Sequence, residues 1–155
     1  MSIVFPCGFP LRRKRFYESG CQEKITHRRL APWSLVDGQP LLIGGEFRRL
    51  SQTLVGPLTR LTLDDVHVDK AFMGTIGLTL EQGLTTTDPS EAYTKELVMA
   101  HARQVFLLAD HSKVGKVSFA CAGELGKVQV LITDKQIERK FARQLRRHGV
   151  EVVRV

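Results

Sequence analysis

From residue 41 onward, short apolar runs alternate with amphipathic stretches bounded by glycine and proline, and that pattern predicts alternating strands and helices. Leu41-Leu42-Ile43 is a short strand candidate stopped by Gly44-Gly45. Pro57 suits a first helical position and opens a helix to about Asp65, with Leu58, Leu61 and Leu63 on or near one face. Val68–Thr75 predicts the next strand, closed by Gly74 and Gly77, and residues 81–92 (EQGLTTTDPSEA) read as a polar loop. The end of that loop carries a helix start: Asp88 as N-cap, Pro89 at the first position and Glu91 completing a capping box, with the helix running to about Arg103. Residues 104–109 and 128–133 are apolar without alternation, which predicts strands covered on both faces. Asp134 is placed to cap a last helix over 135–148, where Ile137, Phe141 and Leu145 recur every four residues; Gly149 ends it and Val150–Val155 forms a final strand. Residues 1–40, interrupted by Pro6, Pro10, Pro32 and Pro40, predict no strand or helix. The expected fold class is α/β, a largely parallel sheet with flanking helices.

Composition narrows this only a little. The 155 residues are 43% hydrophobic and 25% charged, room for one ordered domain or part of a larger one. No apolar run approaches the roughly 18 residues of a membrane helix. The amino-terminal apolar stretch is short, broken by Pro6 and Pro10 and followed by its charges, unlike a signal peptide, so a cytoplasmic chain without a membrane partner is expected. Cys7, Cys21 and Cys121 form no C-x-x-C pair and the five histidines have no metal-site spacing; neither a disulfide framework nor a metal is predicted. Neither a G-x-x-x-x-G-K-[ST] nor a G-x-G-x-x-G loop occurs, so no cofactor is expected. The net charge of +7 is concentrated at the two ends: residues 1–30 carry seven Lys/Arg against two acids and residues 135–148 six against one. Two readings fit those ends, a solvated helix face or contact with nucleic acid through residues such as Arg12, Arg13 and Arg15.

Parallel sheets bind ligands beyond the carboxyl ends of their strands. Three segments answer that description. Asp69-Lys70 through Gly74, Thr75 and Gly77 offers glycines that admit close backbone approach; Thr85, Thr86 and Thr87 offer hydroxyls ahead of a helix start; and Asp110, Ser112 and Lys113 follow a strand. With Lys95 they suit a small phosphorylated polyol, since phosphate favours lysine and backbone N–H while sugar hydroxyls favour carboxylates and threonines. Plainer readings stand beside these. Thr85–Thr87 fits a solvated loop, Lys95 an i,i+4 pair with Glu91, and Asp110 and Ser112 the cap of a turn.

The order GGEFRRLSQTLVGPL (44–58), VDKAFMGTIGL (68–78), GLTTTDPSEAYTKELV (83–98), LLADHSKVGKVSF (107–119) and VLITD (130–134) closely resembles the carboxyl-terminal sensor domain of DeoR-family transcriptional repressors. The resemblance implies a fold related to ribose-5-phosphate isomerases and CoA transferases, a phosphorylated sugar effector, control of a carbohydrate-catabolism operon and a homo-oligomer. It also implies effector contact by the segments matching Asp69–Gly77, Thr85–Thr87, Lys95 and Asp110–Lys113. Where the isomerases place acidic residues, this chain has Gly74-Thr75-Ile76-Gly77, which implies binding without turnover and no catalytic residues.

Family members begin with a winged helix-turn-helix that binds operator DNA, followed by the first half of the sensor with an Asp-Ser/Ala-Gly-Thr-Thr phosphate loop. Neither is found in this sequence. The expectation is therefore a truncated member: residues 1–40 an irregular basic segment foreign to the family, residues 41–155 a partial sensor incomplete at its N-terminus. Effector affinity is expected to be weak or lost, operator binding absent and a sheet edge exposed. Two rival readings follow from the same residues. A phosphosugar isomerase-like enzyme would need Asp69 or Asp110 as base, and a DNA-contacting module would work through the basic termini.

Overall fold

The computed structural model describes residues 2–4, 43–51 and 53–155; the side chains of 2–4 are not described. Expectations for Leu41, Leu42, Cys7, Cys21 and the arginines at 12, 13 and 15 lie outside the described residues, and Ile43 has no regular structure.

The chain runs β1 (Ser2–Val4), β2 (Glu46–Arg48), β3 (Thr53–Val55), α1 (Leu58–Leu63), β4 (Val68–Gly74), β5 (Gly77–Thr79), β6 (Gly83–Thr86), α2 (Pro89–His101), β7 (Ala102–Leu108), β8 (Ala120–Gly123), β9 (Val130–Thr133), α3 (Arg139–Arg147) and β10 (Glu151–Arg154). Single 3₁₀ turns occupy His111–Lys113 and Leu125–Lys127. The main sheet has the order β1-β4-β7-β9-β10, and every neighbouring pair in it is parallel. The expected α/β architecture is therefore present. Two antiparallel elements accompany it, a β2–β3 hairpin and a three-stranded sheet β5-β6-β8.

Register explains the core. Met73, Leu107, Leu131 and Val152 stand opposite one another across four strands and are all buried. Strand residues alternate between faces, so Phe72 and Phe106 belong to the other side, where they stack at 4.9 Å and stay half-buried. The expectation of two fully covered faces holds for one. Helix α2 packs on β6 and β8 as well as on β3, β4 and β7. Its buried residues Glu91, Thr94, Lys95, Val98 and Met99 follow the spacing of one helical stripe, but the first two turns of that stripe are polar.

Several boundaries differ from the sequence reading, each for a local reason. The stretch read as a loop at 81–92 contains β6, whose residues are all buried against β5 and β8. In α1, Thr59 and Leu63 face the core while Leu58 and Leu61, three apart, face out. Helix α3 starts at Arg139 rather than 135, because Asp134 does not cap it; its carboxylate is engaged by His111. Strand β1 was not expected, and it pairs with Lys70–Phe72, so the outer side of β4 is not bare over those residues. Among the described residues no helix is long and apolar enough to cross a membrane.

Candidate functional site

The parallel strands β4, β7 and β9 deliver Thr75, Asp110 and Thr133–Asp134 to one end of the sheet, and the crossover from β4 to β7 brings the start of α2 to that same end. Thr75 donates to the carbonyls of Gly77 (2.7 Å) and Thr85 (2.9 Å). Thr85 donates to Gly77 O (3.3 Å) and accepts from Ser118 N (2.9 Å). These two hydroxyls tie the small sheet to the end of β4. Gly77 permits the approach, since a Cβ there would overlap the Lys116 carbonyl and stand 2.6 Å from Thr85 Oγ1. Gly74, Thr75, Gly77 and Thr85 are thus buried framework. Thr85 and Thr86 are not a solvated loop; Thr87 is exposed.

Thr86 and Thr133 differ from their neighbours. Both hydroxyls are buried, and among the described residues neither has a hydrogen-bond partner. An unsatisfied buried hydroxyl costs about 1–3 kcal/mol, so each is a position to account for.

Helix α2 begins as the sequence indicates: Asp88 Oδ1 accepts from Glu91 N at 2.9 Å with Pro89 at the first position. The reciprocal half of the expected capping box is replaced. The Glu91 carboxylate meets Lys95 Nζ at 2.7 Å through Oε1 and Arg48 Nη1 at 3.1 Å through Oε2, and Arg48 Nε lies 3.4 Å from Asp88 Oδ2. Lys95 does form the i,i+4 pair, but in the interior at 1% exposure. Asp88→Ala is expected to destabilise by about 1 kcal/mol through loss of the cap; urea unfolding against wild type measures it.

After β7, Asp110 Oδ1 accepts from Ser112 N at 2.8 Å, so the turn-capping reading of Asp110 is met. Hydrogen bonding by Ser112 holds the Asp110 carboxyl below its ordinary range, aided by the charges of Lys113 and His111. A carboxyl lowered in the folded state adds stability above its unfolded pKa of about 3.9 and loses it as pH falls through the folded value. Asp110→Asn is therefore expected to cost stability at pH 7 and progressively less as pH falls below about 4, read from paired denaturant curves. His111 donates its backbone N–H to Asp134 Oδ1 (3.1 Å), and its Nδ1 lies 2.6 Å from Asp134 Oδ2. This pair links the ends of β7 and β9.

Of the residues singled out from sequence, Gly74, Thr75, Gly77, Thr85, Thr86, Asp110, Ser112 and Lys113 gather at or beside the carboxyl end of the sheet, and Lys95 lies on the buried side of α2 two turns in. Asp69 and Lys70 do not join them. They are exposed at the start of β4, about 16 Å of strand from Gly74, with Asp69 Oδ1 3.7 Å from Arg103 Nη1 at the start of β7. Their place at the amino end of the strand separates them from Gly74, Thr75 and Gly77. Arg48, Thr133 and Asp134 were not expected in the site, whereas His111 lies within the expected segment Asp110–Lys113. Arg48 was visible only as part of a matching motif, and Asp134 was assigned to a helix cap.

A parallel sheet with polar groups gathered at its carboxyl end, beside a helix start, makes the chain an α/β domain with a candidate site at that end. The pattern of the DeoR C terminal sensor domain matches residues 36–135. The chain belongs to the DeoR family. It is 37% identical over 117 residues to the HTH-type transcriptional regulator GlpR of Haloferax volcanii, covering 76% of this chain and 46% of that protein. It is 37% identical over 112 residues to the HTH-type transcriptional repressor GlcR of Bacillus subtilis (72% and 43%). The lactose phosphotransferase system repressor of Streptococcus mutans is 34% identical over 100 residues (64% and 39%). The chain spans less than half the length of these relatives.

Proposed function

We propose that residues 41–155 form part of the effector-sensing domain of a DeoR-family transcriptional repressor, taking a phosphorylated sugar intermediate at the carboxyl end of the parallel sheet to control a carbohydrate-catabolism operon. Operator contact belongs in this reading to a helix-turn-helix, a feature that the names of two relatives carry, and the sensor works as a homo-oligomer in the cytoplasm. Thr86, Thr87, Lys95, Ser112 and Lys113 supply polar contacts, joined by His111. Gly74, Thr75, Gly77, Thr85 and Asp110 shape the loops. Asp69 and Lys70, at the far end of β4, take no direct part. The family relatives are regulators, and the reading is one of binding without turnover.

The observation that carries it is the buried, unsatisfied Thr86 hydroxyl at the entry to α2. A fold that keeps such a group forgoes stability, as ligand sites commonly do. The test is thermal unfolding of the chain with triose, pentose and hexose phosphates, with the free sugars and inorganic phosphate as controls. A ligand at 100 times its dissociation constant adds about 2.7 kcal/mol, a rise of several degrees. Thr86→Val is expected to raise the ligand-free stability by about 1 kcal/mol and to diminish the ligand response. Failure of every phosphorylated sugar to shift either this chain or a fusion of it to the amino-terminal half of a relative's sensor would reject the reading.

A further inference from the structure

Glu91 is 3% exposed and each of its carboxylate oxygens meets a different cation, Lys95 on one and Arg48 on the other. One cation would have sufficed for charge. The second comes from outside the helix, on the β2–β3 hairpin, and also reaches the N-cap Asp88. Strand β3 of the hairpin also packs on α2, and just after it Gly56 N donates to Thr94 Oγ1 at 2.9 Å. Lys95 therefore shares its carboxylate with a partner that does not depend on it.

That arrangement has a physical consequence. A buried carboxylate deprived of its cation is strongly unfavourable. If Lys95 were the sole counter-ion of Glu91, an anionic ligand drawing its ammonium away would leave that carboxylate uncompensated, and the penalty would be subtracted from affinity. With Arg48 fixed on the second oxygen, the ammonium can turn to an anion while Glu91 stays neutralised. We propose that Arg48 is a positioning residue of the effector site: it is the standing counter-ion of Glu91, freeing Lys95 for the anionic group of a ligand and tightening the β2–β3 hairpin onto α2 when the ligand is bound. This deepens, and rests on, the sugar-phosphate reading above. Because Lys95 is 1% exposed, contact with its Nζ requires a local rearrangement, and movement of the pair beneath the hairpin supplies a readable one.

The test titrates a hexose 6-phosphate and inorganic phosphate into the wild-type chain, Arg48→Gln, Arg48→Lys and Arg60→Gln, followed by calorimetry and hydrogen exchange. Arg60 pairs with Asp64 on the exposed face of α1 and controls for loss of one positive charge. Arg48→Gln is expected to weaken binding about tenfold or more, within the range of coupling between sites, with Arg48→Lys restoring most of it and Arg60→Gln binding as wild type. Amides of residues 46–55 are expected to exchange more slowly when the probe is bound to wild type, and not in Arg48→Gln. Unchanged affinity in Arg48→Gln, or no slowing in the hairpin, would overturn the proposal. A merely structural Arg48 would lower the melting temperature without moving either readout. Should wild type bind neither probe, the sensing reading fails separately, and the counter-ion role is decided by a cycle of Arg48→Gln and Lys95→Met without ligand. A shared carboxylate predicts that the double variant loses more melting temperature than the two singles together, or alone fails to fold; additive losses would reject it.

Discussion

Glu91→Ala is expected to lower the stability of the chain by about 3–5 kcal/mol, the usual cost of deleting one partner of a buried ion pair. The carboxylate it removes faces Lys95 Nζ at 2.7 Å and Arg48 Nη1 at 3.1 Å, with the lysine side chain 1% exposed. Arg48 keeps Asp88 and is itself partly exposed, so the loss falls chiefly on Lys95. Lys95→Met should cost distinctly less, because Arg48 continues to neutralise Glu91 and the methionine retains the apolar stem. The asymmetry between the two variants in urea unfolding is the informative quantity. Equal losses would mean that Arg48 contributes nothing to the carboxylate.

Gly77→Ala comes next, at about 2–3 kcal/mol, the upper part of the range for forcing an extra methyl group into filled space. The added Cβ would overlap the carbonyl of Lys116 and press on Thr85 Oγ1, and neither is loose. Thr85 is held by Ser118 N, and the neighbouring Gly115 N donates to Leu78 O at 2.9 Å. Relief would require the loop after β7 to part from the small sheet. Gly126→Ala is the control, since a Cβ at that position meets nothing within 4 Å; it is expected to stay within about 0.5 kcal/mol of wild type. A comparable loss at both positions would attribute the effect to glycine itself rather than to the close approach.

Helix α2 shows how much of the architecture could be read from the chain. Asp88, Pro89 and Glu91 announce its start by local chemistry that a sequence displays directly. Apolar runs likewise announce β7 and β9, as parallel strands inside a sheet favour such runs. The hairpin at 46–55 and the small sheet leave weaker traces. Their strands are three or four residues long, too short for a period to emerge, and in β6 the buried positions are glycine, leucine and two threonines. The polarity of Thr85 and Thr86 suggests solvent; hydrogen bonds within the fold place Thr85 inside.

The site was partly visible for the same reason. Residues attached to strand ends, such as Asp110 and Ser112, follow from topology once the strands are known. The partners of Glu91 do not. Its capping role accounts locally for the residue, and nothing in the spacing of Arg48, forty-three positions earlier, indicates that hairpin and helix meet. The general cue is α2 itself: a stripe at core spacing that changes from Val98 and Met99 to Glu91, Thr94 and Lys95 marks polar groups held in the interior, where they need mutual partners or an incoming one.

The sheet also joins chain segments at very unequal distances along the sequence. Strands β9 and β10 come together through a short helical crossover, Val130 meeting Glu151, whereas Ile3 meets Ala71 across a far longer stretch. Loop-closure entropy rises with the length enclosed, so the carboxyl-terminal β-α-β unit has the lesser entropic barrier to assembly and β1 the greater. The first strand in sequence is then among the late additions during folding, and the order in which the sheet is built runs against the order in which it is synthesised.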